Sequence, residues 1–209
     1  MIREFRNASS LPKPSINHIS EGKVYLMFNK ADNMWQRCRV VNIDRKNAEN
    51  PLLHMFSIDF GSTEVTNIDK LRLIPMQRLQ SPFPLAIYCS LANCEPRNGS
   101  WTSDDSILIQ NIIDNKQAVI HIRHIRSTGN FSVKFDCDVT TFEDGVSIAH
   151  ALVFHERAKL LNPKLPYPKI VGIADKPRLF MNHNDFNKNS VEEVYITHIV
   201  SPDKFFVRK

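Results

Sequence analysis

Three groups of side chains have the types and spacing to do chemistry. Asp136, Asp138, Glu143 and Asp144 lie close together, and clustered carboxylates can hold the divalent ions that drive phosphodiester cleavage. His121, Arg123, His124 and Arg126 share one short stretch and could touch nucleic-acid phosphates. Cys38, Cys89, Cys94 and Cys137 could ligate zinc or cycle between thiol and disulfide. Each group also has a plainer account. Asp136 and Asp138 alternate with apolar residues as the polar side of a strand, and Glu143-Asp144 reads as a turn. The basic residues suit a solvated strand face. The cysteine spacings match no paired zinc-ligand or redox pattern, and three cysteines fall inside apolar runs, as buried reduced thiols do. The expectation is a protein that is not an enzyme and needs neither cofactor nor metal.

The chain has 209 residues, 42% hydrophobic and 23% charged, a balance that supports one or two cores and excludes disorder over most of its length. Its net charge of +5 would suit an acidic partner, but the excess is spread thinly along the chain. No apolar run reaches the roughly 20 residues that cross a bilayer. The opening MIREFRNASS lacks the apolar core and cleavage site of a signal peptide. A cytosolic or nuclear protein with no membrane partner is expected.

Four strand-like runs lie between Gly22 and Ile74: KVYLMFNK from Lys23, MWQRCRVVNI from Met34, LLHMFSID from Leu52 and STEVTNI from Ser62. Turn residues separate them, including Gly61 after Phe60, which predicts a meander curled into a small barrel whose closure removes free edges. Beyond Ser81-Pro82-Phe83-Pro84 the pattern changes to strand, helix, two strands and helix, an α+β lobe. Its first helix opens at Thr102-Ser103-Asp104-Asp105, where hydroxyls can cap N–H groups and carboxylates suit the dipole, and its stripe is Leu108, Ile109, Ile112 and Ile113. QAVIHIRHI from Gln117 and FSVKFDCDV from Phe131 predict a hairpin, the second strand turning Phe131, Val133, Phe135, Cys137 and Val139 to one face. A second helix is predicted over roughly Val146 to Leu161, with Ile148, Leu152 and Val153 toward the core. The final VEEVYITHIVSPDKFFVRK reads as a hairpin that must pair with something, because a lone hairpin is marginal in water. The expected boundaries are 1–20 for an opening segment with a linker helix, 21–75 for the barrel, 76–161 for the lobe, 162–190 for a flexible linker and 191–209 for a hairpin that completes the lobe.

FSIDFGSTEVTNIDKLRLIP resembles the Tudor signature of a hydrophobic strand, Asp, an aromatic, Gly, a polar residue, then Val and a later Leu. MWQRCRV resembles that family's tryptophan-led second strand. The strand around Leu85 to Leu91, Trp101 with its helix, and the last hairpin resemble the staphylococcal-nuclease-like lobe of an extended Tudor domain. The resemblance implies a mainly β fold with α: a Tudor (SH3-like) β-barrel joined to a staphylococcal-nuclease-like (OB-fold) α+β lobe. In the family the hairpin precedes the barrel, so its place at the end implies circular permutation; the alternative is one domain plus the start of its successor. In a permutant, Val194 to Val207 must lie against the 117–139 sheet.

In the family, four aromatics and an asparagine cage a methylated arginine, the rings attracting the cation and the amide hydrogen-bonding it. Carried over one position at a time, these become Phe28, Gln36, Ser57, Phe60 and Ser62, so two aromatic walls are missing. At about 0.5 to 2 kcal/mol per cation–π contact, that loss points away from methylation-dependent binding. It points toward unmodified arginine in a cleft between the lobes, with Asp59 and Glu64 as guanidinium partners. Asp59 also suits hydrogen bonds from backbone or arginine on neighbouring strands. Core packing is the other reading of Phe28 and Phe60, and it is the favoured reading of Trp35. The implied function is a non-enzymatic scaffold of piRNA-guided silencing that binds the arginine-rich N-terminal tail of a Piwi-family Argonaute in cytoplasmic germline granules (nuage). Other Tudor proteins are implied as partners by oligomerisation. The alternative is an RNA-binding module using the basic hairpin 117–126.

Overall fold

The computed structural model describes residues 8–30, 33–46, 51–75, 84–113, 117–127, 133–162 and 187–208. The chain divides into two units, Met1–Leu85 and Ala86–Lys209.

In the first unit the alternating runs become β1 (Val24–Asn29), β2 (Met34–Asp44), β3 (Leu52–Ser57) and β4 (Thr63–Thr66), joined by a short β5 (Leu71–Arg72). They form an antiparallel sheet in the order β4-β3-β2-β1-β5. Directly opposed residues share a face, so Tyr25 and Met27, Cys38 and Val40, and Leu53 and Met55 fill one core with Ile19 and Leu71. A bulge between Val40 and Asn42 shifts the β2–β3 register and adds the twist that curls the sheet. Leu26, on the reverse face of β1, is covered by Ala8, Leu11, Trp35 and Ile74. Closure is incomplete. Among the described residues β4 and β5 are not paired with each other; the two residues of β5 pair with β1. The helix expected near the start falls partly outside the described residues; Ala8–Ser10 and Ile16–His18 are single 3-10 turns.

The second unit runs through β6 (Ile87–Leu91), β7 (Cys94–Pro96), α1 (Ser103–Ile113), β8 (Gln117–Ser127), β9 (Val133–Thr141), α2 (Ile148–Phe154), β10 (Ala158–Leu160), β11 (Val191–Ser201) and β12 (Lys204–Arg208). Five strands close a barrel in the order β11-β12-β6-β9-β8. Its core includes Cys89, Ile120, Ile122, Phe135, Cys137 and Val139, with Ile109 and Ile113 of α1 and Ile148 and Leu152 of α2. Val133, expected on the same face, is exposed at the strand end, and Phe131 lies outside the described residues. The last hairpin pairs through Val191–Tyr195 with β8 and through Phe205–Val207 with β6. It therefore closes the barrel of its own chain and meets the packing condition set by a permuted order. Asn189 and Ser190 exchange backbone hydrogen bonds with Ile122, so the stretch expected as linker is already ordered there; residues 163–186 lie outside the described set.

Both helices begin as their sequences predict, and one ends early. At α1 the Asp105 carboxylate accepts from the Thr102 N–H and hydroxyl at 2.7 and 2.9 Å, a side chain reaching back to the cap. Ser147 caps α2 by accepting from the His150 N–H. α2 stops at Phe154 rather than near Leu161. Glu156 turns left-handed (φ 58°), while the Arg157 N–H bonds Leu152 O and the Glu156 N–H bonds Val153 O, the pair of bonds that terminates a helix. The chain then enters β10, which pairs with β7. Cys38, Cys89 and Cys137 are buried, Cys94 is half-buried, and all four are free.

Candidate functional site

Phe28 and Trp35 oppose each other across β1 and β2, and their rings meet edge to face at 5.5 Å. The Arg72 guanidinium lies 5.5 Å from the Trp35 ring centre while donating to the Asp69 and Leu71 carbonyls at 2.8 and 2.7 Å. Trp35 thus packs as expected and already carries an arginine of its own chain.

The turn between β3 and β4 is built by short bonds: Gly61 N–H to Ser57 O and Ser57 N–H to Ser62 O, each 2.8 Å. Gly61 sits at φ 86°, a conformation that a side chain would strain. This turn presents Phe60 and Ser62, both half-buried, while half-buried Glu64 on β4 opposes Met55 of the core. Gln36 and Ser57 are placed differently. Each is only 2% exposed, and they oppose Met27 and Cys38 of the core, so they turn inward. As expected peptide contacts, both side chains are thus placed with little surface of their own.

Asp59 is engaged within its own unit. Its carboxylate is bound by Arg37 through two bonds, Nε to Oδ2 at 2.9 Å and an Nη to Oδ1 at 2.5 Å, and it accepts a longer bond from the Leu85 N–H at 3.4 Å. A fork-to-carboxylate pair of this kind is strong and directional. The carboxylate is occupied within the unit, as an acceptor for an arginine of a neighbouring strand, and is not open to an incoming guanidinium. Arg37 was passed over in the sequence; the signal was a strand arginine two residues after Trp35 with an acid at the following turn. Ser57, Asp59 and Glu64 gather around the Cys38 thiol, which is pushed up to about 12 by burial first and by the two carboxylates next, with Ser57 hydrogen bonding opposing them.

In the second unit two of the expected phosphate contacts, Arg123 and Arg126, are paired with carboxylates. Arg123 bonds Asp138, and Arg126 bonds Asp136, which also accepts from the Ser90 hydroxyl at 2.6 Å. Burial, then Arg123, lowers the pKa of His121. Two of its four basic residues are thus ion-paired, while the Arg126 side chain stays 66% exposed and His124 is exposed. Of the carboxylates, Asp136 and Asp138 hold those arginines, and Asp144 accepts from the Thr141 hydroxyl. Among the described residues no group of three or more His, Cys, Asp or Glu is placed to hold a metal, and no helix is long and apolar enough to cross a membrane.

Residues 1–93, which include the curled sheet and the Phe60 turn, match the family model of the Tudor domain. In sequence these residues are therefore similar to a Tudor domain. Tudor domain-containing protein 1 of Danio rerio is 28% identical over 137 residues, 65% of this chain and 11% of that protein. The Homo sapiens protein of the same name is 24% identical over 206 residues, 90% of this chain and 17% of that protein. The chain therefore spans a small part of the length of these Tudor relatives. The extended Tudor domain of Drosophila melanogaster Papi has a similar fold, with a TM-score of 0.65 at 15% identity over 77% of this chain and 85% of that chain, in a complex with a methylated Piwi N-terminal peptide. The same domain is known with the unmethylated peptide. Mouse TDRD1 extended Tudor domain TD3, bound to a MILI peptide containing dimethylarginine, has a TM-score of 0.60 at 20% identity, covering 74% of each chain. The Tudor sheet and the α+β barrel that follows it have the extended Tudor fold.

Proposed function

We propose that this chain is a non-enzymatic scaffold module that binds the arginine-rich N-terminal tail of a Piwi-family Argonaute with little dependence on arginine methylation. The observation that carries the reading is the occupancy of two expected aromatic positions by Gln36 and Ser57, which are buried and have no rings to offer. Phe28 and Phe60 remain as half-buried rings, and half-buried Glu64 is a carboxylate of the same unit. A guanidinium can lay its face on a ring and turn its edge to a carboxylate, whereas added methyl groups find less apolar wall to cover. Support comes from the Papi domain, whose complexes include both methylated and unmethylated Piwi peptides. The setting that fits this reading is piRNA-guided silencing in cytoplasmic germline granules.

Calorimetric titration with matched unmethylated and symmetrically dimethylated tail peptides tests the proposal. The two affinities are expected to agree within about threefold, less than 1 kcal/mol. Phe60→Ala should weaken both by about 0.5 to 2 kcal/mol. A preference of roughly tenfold or more for the methylated peptide, about 1.4 kcal/mol, refutes the methylation claim, and failure of both to bind refutes the adaptor reading.

A further inference from the structure

The outer surface of the second unit's barrel carries a row of side chains that includes none of the candidate peptide contacts named above. Following the strands in space, His198 of β11 opposes Phe206 of β12, Phe206 opposes Tyr88 of β6, and the β6–β9 register sets Tyr88 beside Lys134. His198 stacks on Phe206 at 6.4 Å and Phe206 on Tyr88 at 5.6 Å, with rings within 30° of parallel. Lys134 Nζ lies 5.1 Å from the Tyr88 ring centre. The alternate residues Cys89, Phe135, Phe205 and Val207 fill the core, so the row faces outward.

In the middle of this row Phe206 is buried, whereas Tyr88 and His198 at either side of it are half-buried. Among the described residues β11 pairs with β8 only from Val191 to Tyr195, and His198 is the last ring of the ladder. Tyr195, on the same strand, is 43% exposed. Exposed Lys204, in the neighbouring turn, adds to burial in lowering the pKa of His198, which leaves an uncharged ring next to a cation at neutral pH.

We propose that the His198 end of this row binds a base of single-stranded RNA, the base stacking as the next ring and Lys204 contacting the adjacent phosphate. Stacked aromatic rings flanked by cations bind single strands with little sequence preference because every base offers a π-face. An arginine-rich peptide fits poorly, since Lys204 repels it. The site is separate from hairpin 117–126, whose arginines are already paired.

The test is fluorescence anisotropy of the whole chain with a labelled single-stranded oligouridine and with a duplex of equal length. Single-strand binding is expected, with His198→Ala about tenfold weaker and His198→Phe close to the parent. Lys204→Ala should lower the log–log salt slope by roughly 0.7. A melt of each variant reports its fold, and the exposed Lys204 site keeps the test decisive if His198→Ala disturbs the barrel. Absence of binding, equal binding by His198→Ala and Lys204→Ala, a preference for duplex, or displacement by an arginine-rich peptide would each overturn the proposal.

Discussion

Replacing Asp59 by alanine separates its two conceivable roles, strut or ligand. The Arg37 and Asp59 side chains are 9% and 10% exposed and share two hydrogen bonds of 2.9 and 2.5 Å. Removing the carboxylate leaves a guanidinium buried without its counter-charge, at a cost of about 3 to 5 kcal/mol. For a unit of this size each kcal/mol lowers the melting temperature by roughly 4 to 8 °C, so a drop of more than about 12 °C is expected. Each unit contains one tryptophan, Trp35 in the first and Trp101 in the second. In a Trp101→Phe background, Trp35 fluorescence therefore follows the first unit alone through a urea titration. Replacing both partners, Arg37→Met with Asp59→Leu, should recover most of the loss, because a buried ion pair exchanged for apolar side chains is often neutral. Peptide affinity per folded molecule should stay unchanged. If Asp59→Ala costs less than about 1 kcal/mol, the range of exposed pairs, and peptide binding falls instead, the carboxylate is a ligand group and the structural role is wrong.

Three further outcomes are expected. Glu156→Gly should stabilise the second unit by about 0.5 to 1 kcal/mol, read from Trp101 fluorescence, since glycine removes left-handed strain worth roughly 1 to 2 kcal/mol while the exposed Arg97–Glu156 pair contributes little; destabilisation would refute this account of the α2 terminus. His121 and His198 both have pKa values lowered from 6.5, chiefly by burial. The unfolded chain then binds more protons, so stability is full above the unfolded value of 6.5 and falls as pH drops through the folded values. Urea midpoints of the second unit at pH 7.5 and 5.5 should show this loss, and His121→Gln with His198→Gln should flatten it. The thiols of Cys38 and Cys94 are pushed up to about 12 by burial, and that of Cys89 is raised too. An aromatic disulfide reagent at pH 8 should therefore label these cysteines only as fast as the protein opens, and rapid labelling of native protein would contradict the burial.

The strands of the Tudor sheet were legible because alternation is written residue by residue. Met34 to Asp44 and Leu52 to Ser57 emerge where their patterns put them. The helix after Ser147 was misjudged in length because its apolar stripe continues past the point where Glu156 turns left-handed. Nothing local distinguishes a left-handed Glu from a helical one. β7 and β10 were missed for a related reason: three-residue strands carry too little periodicity to be seen without their partner. Among the candidate peptide contacts, the Phe60 turn was readable from Gly61. The inward placement of Gln36 and Ser57 was not, since it follows from which residues they oppose.

By itself the sequence determined the strand faces, the helix caps, the Tudor signature around Phe60 and the absence of rings at positions 36 and 57. Only the tertiary structure decided that Asp59 belongs to Arg37, that Asp136 and Asp138 pair with Arg126 and Arg123 of the basic hairpin, and that the final hairpin closes a barrel with β8 and β6. The physical reason is that a period of two states which way a side chain points but not what it meets. Partners come from the register between segments far apart in the chain, and that register is set by the packing of the whole unit.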